Sequence, residues 1–125
     1  MLNSYQKYQE QSVATMTQGE LLIKLYDTCS KRLSQGVLFI EEKNPQKANE
    51  VLQKAQNILH HLDATLDRSY AISANLSALY DFFIRQIIHA NVRKDAEALQ
   101  EIIPMIDALR DTFREAEKIV HKNRA

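Results

Sequence analysis

Four runs of apolar residues, each spaced in steps of three and four and separated only by short breaks, constrain this chain more than any other feature. The clearest is Ala48, Leu52, Ala55, Leu59, Leu62 and Leu66, flanked by Val51 and Ile58. This is the period of a helix that buries one face against another helix. Leu22, Leu25, Tyr26, Cys29, Leu33, Val37 and Ile40 make a second stripe, and Leu76, Leu79, Tyr80, Phe83, Ile87 and Ala90 a third. The fourth is Leu99, Ile102, Ile106, Leu109, Phe113, Ala116 and Val120. Only two glycines and two prolines occur in 125 residues, too few for the turns of a sheet protein. Four amphipathic helices with short connections predict an all-α fold, an antiparallel up-down-up-down four-helix bundle.

Local signals place the helix ends. Thr17 and Glu20 form a capping-box pattern, so the first helix is expected over Gln18–Lys43. Asn44-Pro45 pairs a cap residue with a proline whose missing donor costs nothing at a helix start, opening a second helix to Arg68. Ser73 reads as the cap of a third helix, to Val92, and Asp95 as the cap of a fourth, to His121. The apolar seam keeps its phase across Pro104, which predicts one helix bent there rather than two. Residues 122–125 read as a frayed tail, and residues 1–16 as an N-terminal arm that packs back on the bundle.

Charge removes several function classes. Sixteen basic and sixteen acidic residues cancel, whereas a nucleic-acid binder or a polybasic membrane-surface protein carries a basic excess. No apolar run approaches the roughly 20 residues of a membrane span, and the start has no signal-peptide pattern. Cys29 is the single cysteine, so no internal disulfide is available, as suits a reducing cytosol.

Catalytic chemistry lacks its residues. A di-metal bundle needs Glu-x-x-His pairs, and none occurs. His60 and His61 diverge by about 100° on a helix and cannot share a metal. Glu117 and His121 are one turn apart near a helix end, where a surface pair is the expected reading. Cys29 lies on an apolar stripe, as a structural thiol does. The alternative from another class is a histidine phosphotransfer bundle. Its motif resembles His-x-Leu-Lys-Gly, whereas His60-His61-Leu62-Asp63-Ala64 puts a carboxylate where the lysine belongs, which would repel a phosphoryl group. The chain is therefore expected to be no enzyme and to need no cofactor or metal.

Two features point to a partner instead. The third helix carries Phe82, Ile84, Ile88 and Val92 beyond its main stripe, a wider apolar arc than one face of a small bundle requires. Either this helix sits deep between two neighbours or it also lines a groove. Ile72, Leu76, Leu79, Tyr80, Phe82 and Phe83, with Asn91 nearby, are the candidate groove residues. The polar arm, in turn, spends Tyr5 and Tyr8 outside the main seams. The bundle is expected as a monomer or, by exchanging an element, a dimer.

The chain resembles the flagellin export chaperones of bacterial flagellar systems, the FliS family, over nearly its whole length. The resemblance rests on Asn3-x-Tyr5-Gln6-x-Tyr8 with Val13 and Thr15, then Glu20-Leu21 leading to Leu25-Tyr26-Asp27. It continues in Lys47-Ala48-Asn49-Glu50, Gln53-Lys54-Ala55-Gln56, and Leu66-Asp67-x-x-Tyr70-x-Ile72-Ser73-x-Asn75-Leu76-x-x-Leu79-Tyr80-Asp81-Phe82. Ala90-Asn91 and Leu109-Arg110-Asp111-Thr112-Phe113 complete it. Gln18-Gly19, Thr28, Pro104 and Phe113 depart from common family choices. The resemblance implies a cytosolic chaperone for the C-terminal segment of flagellin, which prevents premature polymerisation and aids delivery to the export gate. Export-gate components and other flagellar proteins are implied as further partners.

The arm is then expected to shield part of the groove until flagellin displaces it. Deleting the residues before Val13 should tighten binding of a flagellin C-terminal peptide, measured by calorimetry. Loss of folding or of binding would instead mark Tyr5 and Tyr8 as a staple or a direct contact.

Overall fold

The computed structural model describes residues 16–124; Tyr5, Tyr8 and the rest of the arm before Met16 lie outside them. The described chain forms α1 (Gln18–Glu41), α2 (Pro45–Ala64), α3 (Ile72–Arg93) and α4 (Ala96–Arg124), with no strand among the described residues. Each helix packs on its neighbours in sequence, and α4 closes the ring against α1. The α1–α4 and α1–α2 seams are the most extensive and the α3–α4 seam is the sparsest.

Cross-helix contacts fix the directions. Thr17 at the start of α1 donates to Glu117 near the end of α4 at 3.0 Å, and Asp27 meets Arg110 at 3.1 Å. Ser77 donates to Asp63 at 2.6 Å and Asn91 to Asn49 at 2.8 Å, so α3 runs against α2. Adjacent helices are therefore antiparallel, giving the expected up-down-up-down bundle. Its core takes the predicted stripes: Leu33, Leu52, Leu59, Ile87, Leu99 and Ile106 are fully buried.

Most caps form as expected. The Thr17 side chain accepts from the Glu20 amide, Asn44 from Lys47 at 3.2 Å, and Asp95 from Glu97 at 3.0 Å. Three ends differ. First, α2 stops at Ala64, short of the expected Arg68. The Thr65 hydroxyl donates back to the carbonyls of His61 and Leu62, and the Ser69 amide and hydroxyl both donate to Asp67. These local bonds compete with continued helix. Second, Ser73 is not the cap of α3. It lies buried inside the first turn and its hydroxyl donates to the Asp67 carbonyl, while Ala71 holds the cap position without a side-chain bond. Third, α4 remains helical to Arg124, past the residue at which fraying was expected, and runs unbroken through Pro104.

A partly buried charge cluster joins α1 to α4. Arg110 meets Asp27, Asp107 and Asp111 at 3.1, 3.2 and 3.1 Å, and Lys31 meets Asp27 at 3.0 Å. Burial works to raise the Asp27 carboxyl, but Lys31 and Arg110 outweigh it and hold it below the ordinary range.

Gly36 sets the spacing of α1 and α2. A Cβ there would lie 2.6 Å from Leu52 Cδ2 and 3.5 Å from Leu99 Cδ1, and both leucines are fully buried. Glycine inside a helix costs about 1 kcal/mol against alanine, so the close approach explains its presence. Gly36→Val should destabilise the fold by about 1–3 kcal/mol through overpacking, read as a lower urea midpoint. An unchanged midpoint would mean that the seam relaxes around the added methyls.

Candidate functional site

The site is built on α3, and α3 is held by a buried hydroxyl pair. Tyr26 of α1 and Tyr80 of α3 meet through their OH groups in the core, either of which can donate. Both rings are almost wholly inaccessible. Burial, followed by the hydrogen bond to Tyr80, raises the Tyr26 phenol well above its usual range, and burial also raises Tyr80. Both are therefore neutral hydrogen-bonding groups and not acids. Phe113 of α4 stacks on Tyr26 with centroids 5.6 Å apart, joining a third helix to the pair.

This anchoring decides which faces of α3 turn outward. Phe83 and Tyr80 point into the core and Leu76 is 7% exposed. Ile84, the first residue of the wide arc, is also buried. The remainder of the arc is not: Phe82 is 36% exposed, Ile88 45% and Val92 80%. The wide arc thus divides, and its exposed part borders neither trough described below. Packing between neighbours accounts for Ile84, and Phe82, Ile88 and Val92 are surplus to the core.

Two shallow apolar troughs lie along α3. The first, of about 290 Å³, is bordered by Ile72, Leu76 and Tyr80 together with Leu66, Tyr70 and Phe113. Tyr70 and Ile72 are well exposed at its mouth. This trough shares Leu22, Leu62 and Thr65 with an adjoining hollow of about 320 Å³ between α1 and α2, where Leu21 and Leu25 also lie. The second trough, of about 300 Å³, opens along the sparse α3–α4 seam between Leu79, Phe83, Met105 and Leu109.

The seven groove candidates therefore do not form one cluster. Ile72, Leu76 and Tyr80 border one trough and Leu79 and Phe83 the other. Phe82 stands outside both, its ring 5.8 Å from that of Phe83. Asn91 lies toward the far end of α3, pinned by Asn49 and Lys94. Sequence reasoning omitted Leu22, Leu62, Leu66, Tyr70 and Phe113 as lining residues. Four of these belong to the core stripes, and only their place at an open bundle end gives them a free edge.

Groups capable of chemistry are otherwise occupied. Cys29 is fully inaccessible and its thiol is pushed up to about 12 by burial, so it is an unreactive core group. His60 and His61 are exposed. Asp63, beside them, is held by Ser77 and by Arg68 at 3.3 Å. Glu20, Glu117 and His121 bring ligand atoms within 4.8 Å of one another and are the one group among the described residues with metal-ligand geometry. Their mutual contacts account for the arrangement: His121 Nε2 lies 3.4 Å from Glu20 and 3.3 Å from Glu117. The cluster stitches the start of α1 to the end of α4.

Comparison with known proteins decides among bundle families. The family profile described as "Flagellar protein FliS" matches residues 1–120. The chain belongs to the FliS family. The "Flagellar secretion chaperone FliS" of Bacillus subtilis is 37% identical over 122 residues, covering 98% of this chain and 92% of that protein. Its namesake in Salmonella typhimurium is 32% identical over 109 residues, covering 85% and 81%. That of Escherichia coli is 30% identical over 110 residues, covering 86% and 81%. These FliS relatives are named as chaperones and not as enzymes. No helix among the described residues is long and apolar enough to cross a membrane.

The tyrosine pair gives a direct test of how α3 is held. Tyr26→Phe alone strands the Tyr80 hydroxyl in the core and should cost about 1–3 kcal/mol in denaturant unfolding. Tyr26→Phe with Tyr80→Phe should cost less than the two single changes summed, because no stranded hydroxyl remains. Strict additivity would show that the hydroxyls act independently.

Proposed function

We propose that this chain is a flagellar secretion chaperone that binds the disordered C-terminal segment of flagellin, prevents its premature polymerisation in the cytoplasm and aids its delivery to the export apparatus. Family membership supports the chaperone role. The observation that carries the partner class is the apolar surface left along α3: exposed Ile72 and Phe82, with two apolar troughs in succession along the helix. A helix of an ordinary closed bundle would bury such residues or replace them with polar ones.

The mechanism follows from shape. Each trough is shallow and open, suited to the apolar ridge of an amphipathic segment and not to an enclosed small molecule. Ile72 and Tyr70 mark one trough, and Leu79 and Met105 the other, in succession along the same apolar stripe of α3. A partner that reaches both must run lengthwise along α3, as an extended disordered chain can. Its ordering opposes part of the gain from apolar burial, so a large contact area remains releasable. Nothing in this cycle requires a bond to break, and the buried tyrosines and thiol serve the fold.

Calorimetric titration with a peptide spanning the flagellin C-terminal region should give saturable binding with a negative heat-capacity change. Phe82→Asp and Ile72→Asp alter side chains that the fold leaves exposed, and each should weaken binding roughly tenfold or more if it is an apolar anchor. Full-strength binding by both variants, with helicity unchanged, would remove α3 from the interface. No binding by the parent protein would sink the flagellin reading itself.

A further inference from the structure

The α1–α2 edge of the bundle carries a different kind of surface. Where Gly36 lets the two helices close, their outward ridges leave a hollow of about 280 Å³. Arg32 and Phe39 border it from α1, at helical spacing on one face; Lys47, Val51 and Lys54 border it from α2 in the same way. Half-buried Phe39 and Val51 supply its apolar part, and three cations surround them.

These cations differ from the paired ones of α4, though Lys24, Lys43, Arg93 and Lys94 also lie outside every ion pair among the described residues. On α4, Arg110, Arg114 and Lys118 each lie within 3.4 Å of a carboxylate. Arg32, Lys47 and Lys54 make no ion pair with any described residue. Arg32 donates instead to the neutral Gln35 at 3.1 Å, and Lys47 Nζ stands 5.7 Å from the centre of the Phe39 ring. Glu50 is the sole acid bordering the hollow and pairs with none of the three. In a chain of zero net charge, this is a local positive excess around an apolar floor.

We propose that this hollow is a second docking surface, which takes an acidic segment of a partner protein: carboxylates about one helical turn apart, flanking an apolar residue. The apolar residue rests on Phe39 and Val51, and the carboxylates meet Arg32, Lys47 and Lys54. Arginine beside a hydrophobic floor favours a carboxylate, because its planar fork forms two parallel hydrogen bonds. Nucleic acid fits less well, since three cations in one short hollow lack the extended basic stripe that tracks a phosphate backbone. The α1–α2 edge lies across the ring from the α3–α4 trough, so an acidic partner can dock while α3 is covered. The inference stands apart from the flagellin reading and goes beyond it.

The probe is a synthetic amphipathic peptide with glutamates one turn apart around a single leucine, titrated into the isotope-labelled full chain. Amide shifts should cluster along Arg32–Phe39 and Lys47–Lys54. Replacing the peptide's glutamates by glutamine should weaken binding roughly tenfold, as should Lys47→Glu with Lys54→Glu, the loss of two partly screened ion pairs. Lys122→Glu, which reverses an exposed cation on α4, should leave affinity unchanged. Equal binding of the glutamine peptide, shifts centred elsewhere, equal weakening by Lys122→Glu, or equal competition by a short oligonucleotide would each overturn the proposal. The lysine double variant must also keep its affinity for the flagellin peptide. If that affinity falls in step, the hollow belongs to the flagellin site and not to a second partner. A parent protein that ignores the flagellin peptide yet binds the acidic one would sink the flagellin reading alone.

Discussion

The bond between the Tyr26 and Tyr80 hydroxyls ties α1 to α3 across the middle of the bundle. Two polar atoms in a dry core cost free energy unless they find each other, so this contact specifies geometry more sharply than apolar packing does. Apolar side chains tolerate a helix that rotates or slides by a fraction of a turn. A phenol pair does not, because a small rotation strands both oxygens. Phe113, stacked on Tyr26, brings α4 into the same constraint. With Tyr80 fixed inward, Phe83 and Ile87 follow it into the core, while Phe82 is turned outward. The apolar surface that α3 leaves open is thus a consequence of how the interior is locked.

The bundle was legible because its two strongest stripes are unambiguous. Ala48, Leu52, Ala55, Leu59 and Leu62 are all buried, as the seam requires, and Asn44-Pro45 marks the start of their helix. The end of that helix was less legible. Leu66 continues the apolar period, but Thr65, Asp67 and Ser69 offer the backbone competing hydrogen bonds, and the period alone does not rank these against one more turn of helix. Ser73 misled for a related reason. A serine ahead of an apolar run reads as a cap, yet its hydroxyl reaches the Asp67 carbonyl from within the helix. That bond depends on the path of the preceding turn.

The groove was only half legible. Periodicity identifies a helix with more apolar surface than one seam needs, and Phe82, Ile88 and Val92 are exposed accordingly. It does not say which neighbour covers which side. Ile84 sits on the same wide arc as Ile88, one turn away, and is buried while Ile88 is not. The trough beside Tyr70 and Ile72 also borrows core residues from three other segments, Leu22, Leu62 and Phe113 among them. Residues that serve the core on one edge and a groove on the other carry a single pattern in sequence, and only the open end of the bundle separates the two roles.

Uneven packing around the ring suits a binding protein better than a uniformly tight core would. The α1 seams carry the close approach at Gly36 and the charge cluster around Arg110, so they supply the more closely packed half. The α3–α4 seam is sparse and leaves Met105 and Leu79 at an open trough. A partner ridge laid there gains apolar contacts that the bundle does not make for itself, without first breaking any. Where stability is concentrated on one side of a bundle, the opposite side can remain under-packed and the fold still holds, and the under-packed seam becomes the place where covering apolar surface is most favourable.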